Sequence, residues 1–306
     1  MIRVQVPATS ANLGPGFDAF GMAYQFYNTF FIHEKDDGKL TIRGVDRRYQ
    51  GKNNLVYQAM QKVFAKVHYY PKGLSIFSEV DVPVSRGLGS SAICIVAGIL
   101  AANALAGSPL SQDALFDMAV AMEGHPDNIA PAMFGGLVCA VDNGKTNLFI
   151  KNAVADCFSF HLIIPDFPLS TKAARQALPS RVSHKDAVFN VSRATMTYLA
   201  LTEGRPDVLA AAMRDKLHQP YRKDLIRSYD KIHDTALRLG ALGLCISGAG
   251  PTMLAVTTKD DAQTFHRDMK DYLARTEPAW DFYHLNPDND GARLIVGDAT
   301  SGEPSC

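Results

Sequence analysis

The segment PVSRGLGSSAICIVAGILAAN, residues 83 to 103, constrains this chain more than any other. A glycine-rich bend runs straight into a nearly unbroken apolar stretch, which predicts a buried helix from about Ser90 to Ala106 entered through a tight turn. Gly87 and Gly89 let the chain turn sharply and let another group approach the backbone with no Cβ in the way. Ser90 and Ser91 are placed to cap the helix, and their hydroxyls are open to a phosphate or a magnesium ion. The free N–H groups and positive dipole end of such a helix form an anion site. A polyphosphate cradle is therefore one reading, and an ordinary serine-capped strand-to-helix turn is another. A dinucleotide fingerprint fits Gly87, Gly89 and Ala92, but the acidic residue it needs, at Asp113, falls in AGSPLSQDALFD, which reads as turn and helix rather than a strand end. A Walker loop needs a lysine after the last glycine, and none follows Gly89.

The rest of the chain fits a globular protein that handles a small ligand. Its 306 residues suggest about two domains, from the usual ~150 residues per domain. Lysine plus arginine and aspartate plus glutamate both total 31, which argues against nucleic-acid binding through bulk charge. Hydrophobic residues make up 47%, enough for a sizeable core. The five cysteines show no CxxC pair, and several lie in apolar runs, as expected of reduced thiols. The N-terminal MIRVQVPATS lacks an apolar signal region, and the apolar run from Ala92 to Ala106 is too short to span a bilayer. The expectation is a soluble cytoplasmic protein.

Alternation and turn residues predict strands at Arg3 to Pro7, Phe26 to His33, Leu40 to Val45 and Leu74 to Val82, with a helix over Asn54 to Val67. A further helix begins after Ser111, its N-cap, and ends at Gly124. The polar stretch from 143 to 157 marks the expected domain boundary, giving domains 1–152 and 153–306. In the second half, strands are expected at His161 to Pro165, Leu242 to Ser247, Met253 to Thr258 and Arg293 to Val296. Helices are expected at Lys172 to Leu178, Asp186 to Thr202, Asp207 to Leu217, Lys223 to Leu239 and Asp260 to Arg275. Helices packed on a mostly antiparallel sheet make an α+β arrangement. The polar tail DATSGEPSC is expected to fray.

Three blocks carry a family resemblance: PATSANLGPGFDAFG (Pro7 to Gly21), PVSRGLGSSA (Pro83 to Ala92) and ISGAGPTMLAV (Ile246 to Val256). EGHPDNIAPAMFGG (Glu123 to Gly136), STKAAR (Ser170 to Arg175) and HQPYR (His218 to Arg222) extend it. On these blocks the chain resembles the GHMP-type small-molecule kinases, and among them the homoserine kinases, from about residue 2 to 297. The resemblance implies an N-terminal β-α-β ATP-binding domain, a C-terminal ferredoxin-like α/β sandwich and an active site in the cleft between them. The cofactors it implies are ATP and Mg²⁺. The partner it implies is a small molecule, L-homoserine, with no nucleic acid and no membrane, and it leaves room for a homodimer. Kinases for another small alcohol, such as threonine or mevalonate, and a non-catalytic nucleotide- or metabolite-binding regulator are the alternatives.

The site residues follow block by block. Pro83, Val84, Ser85, Arg86, Gly87, Leu88, Gly89, Ser90, Ser91, Ala92 and Ile93 form the nucleotide loop, with backbone N–H groups from Arg86 to Ser91 on the β- and γ-phosphates; Asn54 is a candidate for the adenine. Asn and Asp in a Gly/Pro-rich turn commonly satisfy local backbone groups; by resemblance, Asn12 orients the acceptor alcohol and Asp18 binds it or a nearby ammonium. Glu123, His125 and Asp127 could be read as a metal cluster, but a zinc site would want a further partner. Magnesium takes one or two protein oxygens plus phosphates, and by resemblance Ser91 and Glu123 supply them, with His125 structural. Asn128 stands where mevalonate-type relatives carry an aspartate base. An amide cannot take a proton from the alcohol, so no protein general base is expected. Arg175 and Arg222, assisted by Thr171, are expected to grip the acceptor carboxylate through guanidinium forks, with Arg181 and Arg193 as alternatives. Gly248, Gly250 and Pro251 form a turn expected to pack against the phosphate loop and the acceptor.

Overall fold

A computed structural model of the chain describes residues 1–144 and 146–297. The polar tail expected to fray, residues 298–306, lies outside the described residues. The first part of the chain runs β1 (Ile2–Ala11), β2 (Phe20–Lys35), β3 (Leu40–Arg43), α1 (Leu55–Val67), β4 (Gly73–Val80), α2 (Ser90–Leu105), α3 (Gln112–Glu123), α4 (Pro126–Phe134), β5 (Leu137–Asp142) and β6 (Asn147–Asn152). The second runs β7 (Phe158–Ile164), α5 (Thr171–Gln176), α6 (His184–Glu203), α7 (Pro206–Ala212), α8 (Gln219–Arg222), α9 (Tyr229–Arg238), β8 (Gly243–Ile246), β9 (Met253–Thr258), α10 (Ala262–Thr276), β10 (Asp281–Leu285) and β11 (Arg293–Val296).

A seven-stranded sheet has the order β11-β1-β2-β4-β3, with β5 on β2 and β6 on β5. Only its β3–β4 pair is parallel. The second sheet, β10-β7-β9-β8, is antiparallel throughout. Its strands and crossover helices follow the β-α-β-β-α-β order of a ferredoxin-like layer. An apolar core joins the two halves: Phe158, Phe160, Leu162, Leu254 and Val256 of the second sheet share one cluster with β1, β2 and α2.

Several expected elements have different bounds. β1 does not stop at Pro7. It continues to Ala11, with a register shift in the ladder between Pro7, which has no N–H to donate, and Ala8. The segment after Gly124, for which no element was expected, forms α4: Pro126 at its start and burial from Pro126 to Met133 sustain a helix although Pro131 sits inside it. The polar boundary region holds β6, which pairs with β5, and β11 returns to pair with the free edge of β1. A cut at 152/153 therefore leaves one strand of the first sheet in the second segment. The single helix expected over Lys223 to Leu239 is broken: a 3-10 turn at Lys223–Leu225 follows α8, and Ser228, with φ of 60°, precedes α9. Burial of Ile226 between them pulls the chain inward. Among the described residues no helix is long and apolar enough to cross a membrane.

α2 is apolar on all sides because α1, α3, α4 and β1 all pack against it. Gly98 at its middle lets α1 approach, and a Cβ there would overlap the Val56 carbonyl oxygen and the Ala59 methyl. Gly98→Ala is accordingly expected to destabilise the fold by about 1–3 kcal/mol, as overpacking does, read as a lower midpoint in urea unfolding.

Candidate active site in the cleft between the domains

The bend between β4 and α2 has Gly87 and Gly89 in the left-handed region, at φ of 78° and 67°. Both positions also lack room. A Cβ on Gly87 would overlap the Ser247 carbonyl oxygen, and one on Gly89 the Thr9 hydroxyl. The turn Ser247 to Pro251 of the second domain lies directly against this bend. Thr252 N donates to Arg86 O at 3.1 Å, Ser247 Oγ to Gly87 O at 2.6 Å and Gly248 N to Ala11 O at 3.1 Å. Leu169 N donates to Ser85 O at 3.0 Å. Gly248, Gly250 and Pro251 thus press the second domain's backbone onto the bend.

Gly89, not a serine, is the N-cap of α2, and it offers no side-chain cap. The serines that were expected to cap face other groups: Ser90 Oγ accepts weakly from Ser85 N at 3.4 Å, and Ser91 Oγ donates to Glu123 Oε1 at 2.6 Å. The first N–H groups of α2 are left for a ligand. Ser91 and Glu123 form a pair of hard oxygen donors beside that helix end, the kind of set magnesium takes. Burial raises the Glu123 carboxyl above its ordinary value, and the Ser91 hydrogen bond and the His125 charge offset this only in part. Arg86 does not offer its side chain to the bend's ligand: Nε and a terminal nitrogen bind the carbonyls of Pro165 and Asp166, both at 2.9 Å. Leu88, Ala92 and Ile93 are wholly buried and shape the loop through backbone and packing, whereas Val84 is exposed at its rim and Pro83 half-buried.

A cavity of about 140 Å³ is lined by Ser85, Gly87, Gly89, Ser90, Ser91, Glu123 and residues of both domains around them. It borders a wider apolar cavity of about 540 Å³ formed by Phe30, Val45, Tyr49, Val56, Val80 and others, sharing Ser85, Ser90 and Ser91 with it. Asn54 is on that second wall, but its amide is committed locally. Its Oδ1 caps α1 through Tyr57 N at 3.2 Å, and its Nδ2 donates to Tyr49 O at 3.0 Å.

The same cavity brings together Asn12, Asp18, Asn128, Thr171, Arg175, Arg222 and Gly248, the residues expected to meet the acceptor. Asn12 is left-handed (φ 73°) and its amide bridges the domains, donating to Gly248 O at 2.8 Å and accepting from Asp18 N at 3.0 Å. Asp18 and Arg175 form a bidentate pair at 2.8 and 3.0 Å, and the Asp18 hydrogen bond raises the guanidinium's pKa. Arg222 differs. Only 2% of it is exposed, and its hydrogen bonds go to the Ala174 and Gly248 carbonyls, both at 3.1 Å, and to His218 Nδ1 at 3.4 Å. Among the described residues it pairs with no carboxylate. Burial, then the nearby Arg175 charge, lowers its pKa.

Asn128 accepts from Thr9 Oγ1 at 2.8 Å, with its amide nitrogen 3.4 Å from Asp127 Oδ1. His125, expected to be structural, lies at the cavity together with Asp127. His125 and the buried Asp127 hydrogen-bond to each other and line the cavity. Burial opposes charge on His125, but the Asp127 hydrogen bond and the Asp127 and Glu123 charges prevail and raise its pKa. Ligand atoms of Asp18, His125 and Asp127 lie within 4.8 Å of one another, although the first is held by Arg175 and the other two by each other. A sequence signal existed in their alternate spacing after Glu123; it pointed to a metal cluster rather than to a cavity wall. Arg181 and Arg193 are not among the lining residues. Arg181 is exposed, and Arg193 stacks on Phe189 with its guanidinium 3.4 Å from the ring centre.

Two family models match the chain, the GHMP kinases N terminal domain over residues 54–136 and the GHMP kinases C terminal over residues 198–275. A curated homoserine kinase of Clostridium botulinum (strain Eklund 17B / Type B) is 44% identical over 300 residues, covering 98% of this chain and 100% of that protein. One of Caldicellulosiruptor bescii is 46% identical over 305 residues, covering 98% and 99%. The crystal structure of homoserine kinase from Cytophaga hutchinsonii superposes with a TM-score of 0.87 at 28% identity, covering 96% of this chain and 97% of that one. The chain belongs to the GHMP kinase family, on its homoserine kinase branch.

Burial works against charge on Glu123, so Glu123→Gln, which keeps one acceptor oxygen for Ser91 and exchanges the other oxygen for an NH2 donor, removes a charge that the fold disfavours. Its melting temperature is expected to hold or rise, while Mn²⁺ binding followed by electron paramagnetic resonance is lost. In the native chain, divalent-cation affinity is expected to climb with pH through the raised Glu123 pKa, since a carboxylate is a far better metal ligand than a carboxylic acid.

Proposed function

We propose that this kinase transfers the γ-phosphoryl group of ATP to the side-chain hydroxyl of L-homoserine, giving O-phospho-L-homoserine and ADP, a cytoplasmic step of threonine biosynthesis. The observation that carries this is the buried, carboxylate-free guanidinium of Arg222 opening on the same small cavity as the α2 N-terminus. An uncompensated buried cation is costly, and a carboxylate-bearing ligand relieves that cost. The homoserine kinases at 43–46% identity support the same substrate.

In this reading the adenosine part of ATP occupies the apolar cavity near Asn54. Backbone N–H groups from Arg86 to Ser91 hold the β- and γ-phosphate oxygens at the helix end. Ser91 and Glu123 would hold Mg²⁺, which neutralises charge on the phosphates when bound. Arg222, with Arg175 and Thr171, fixes the amino acid's carboxylate, and Asp18 faces its ammonium. The substrate's own charges then compete for the Asp18–Arg175 pair, so acceptor binding exchanges one ion pair for two.

In this reading none of the described side chains acts as a base on the hydroxyl. Asn128 is an amide, oriented by Thr9, and Asp127 is held by a His125 that favours its charged form. The new O–P bond forms as the bond to the ADP oxygen breaks, and the hydroxyl proton leaves to the transferred phosphoryl oxygens or to water. A loose transition state tolerates this, because catalysis rests on alignment and charge stabilisation.

ADP release measured across a panel of small alcohols is expected to show L-homoserine as the preferred acceptor; no turnover with it beside good turnover of threonine or mevalonate would reject the assignment. ADP release from no acceptor at all, with ligands still bound, would favour a regulator. Arg222→Lys replaces a fork by a point charge and is expected to raise the KM for homoserine about ten-fold or more with little change for ATP. A shift in the ATP constant alone would place Arg222 elsewhere.

A further inference from the structure

The loop carrying Asn12 and Asp18 belongs to the first domain, yet two of its carbonyls are held by the second. His218 Nε2 meets Gly14 O at 2.7 Å, and Asn190 Nδ2 donates to Pro15 O at 3.0 Å. Both side chains are buried, and neither lines the cavity. Behind them stands Asp215, whose side chain is wholly enclosed. One carboxylate oxygen accepts from Asn190 Nδ2 at 2.9 Å and Leu217 N at 3.0 Å; the other accepts from His218 N at 3.0 Å and Gln219 N at 2.7 Å. Asn190 Oδ1 in turn accepts from Lys216 N at 2.8 Å.

This network sets the state of His218. The Gly14 carbonyl can only accept, so Nε2 carries the hydrogen and Nδ1 keeps its lone pair. That lone pair faces an Arg222 nitrogen at 3.4 Å. The imidazole also stacks on Phe17, one residue before Asp18, with ring centres 5.1 Å apart, and the Arg222 guanidinium lies 5.1 Å from the same ring. Gly14 has φ of 84°, and a Cβ on it would overlap the Met213 carbonyl oxygen. One buried group of the second domain therefore touches both the loop that bears Asp18 and the arginine across from it.

We propose that His218, Asn190 and Asp215 are positioning residues for the acceptor pocket. They set the spacing between the anionic Asp18 and the cationic Arg222, so that the two face one ligand carrying an ammonium and a carboxylate. This rests on the reading of Arg222 as the carboxylate anchor. It goes beyond it by placing the control of that pocket's geometry in three side chains that touch no ligand.

The test uses the full chain and L-homoserine. His218→Phe keeps a ring against Phe17 and removes the donor to Gly14, while His218→Gln supplies an N–H in its place. His218→Phe is expected to raise the homoserine KM about ten-fold or more, the scale of a lost buried hydrogen bond, with the ATP KM within about two-fold. His218→Gln should recover most of the loss. An unchanged homoserine KM in a folded His218→Phe, or a parallel rise of both constants with no recovery in His218→Gln, would overturn the proposal and leave the network as interdomain packing. Should His218→Phe fail to fold, the same two constants in Asn190→Ala decide. Wild-type protein that does not turn over homoserine would instead strike at the proposed function on which the pocket reading stands. The network is then judged by the same constants on the alcohol the wild type does use.

Discussion

Everything in the cleft depends on a contact between two backbones. At Gly87 the first domain comes so near the turn after Ser247 that no side chain fits between them. Hydrogen bonds from Thr252, Ser247 and Leu169 then close the gap. Because the contact is main chain to main chain, it has little rotamer freedom, and the α2 N-terminus is held at a set place relative to the second domain. The Asn12 amide, bonded to Gly248 and to Asp18, extends the same seam toward the acceptor side.

Charge is distributed around this seam in an uneven way. Asp18 and Arg175 satisfy each other, and His125 and Asp127 do likewise, while Glu123 leans on a hydroxyl and Arg222 on carbonyls. The two groups without a full counter-charge are those whose pKa values move against ionisation, through burial in both cases. Their burial is offset in the folded chain by hydrogen bonds, from Ser91 Oγ to Glu123 and from Arg222 to two carbonyls, and a buried charge without a full counter-charge stays costly. Pre-formed polar groups of this kind need little rearrangement when charge develops during phosphoryl transfer.

Local chemistry was legible wherever a residue acts on its own neighbours. Ser111 caps α3 through Ala114 N and Gly124 ends it in a left-handed conformation, both visible in the sequence. The apolar run after Gly89 could only be a central helix. Legibility failed where tertiary context overrides a local signal. Pro131 disguises α4, a short helix sustained by burial on all sides rather than by propensity. β6 and β10 are edge strands with mostly exposed residues, so they lack the apolar pattern that announces a strand. The break before α9 comes from Ser228 taking a conformation that its type does not advertise.

The same division runs through the candidate site. The sequence by itself determined the identity of the parts: a glycine bend at a helix end, a serine and a glutamate with hard oxygens, an amide where a base would otherwise stand, and two arginines in the second half. The glycine bend is a property of residue types and short spacing, and the other parts follow from the resemblance of the blocks that hold them, both of which survive without coordinates. Tertiary structure alone decided their pairing. It committed Arg175 to Asp18 and the Arg86 side chain to carbonyls, left Arg222 buried without a carboxylate, drew His125 and Asp127 into the cavity wall and set His218 behind the acceptor loop. Some of those outcomes depend on contacts between residues more than a hundred positions apart, as Asp18–Arg175 and Gly14–His218 are. The others depend on how the chain folds back and how much water burial removes from each charge, and a linear pattern encodes none of this.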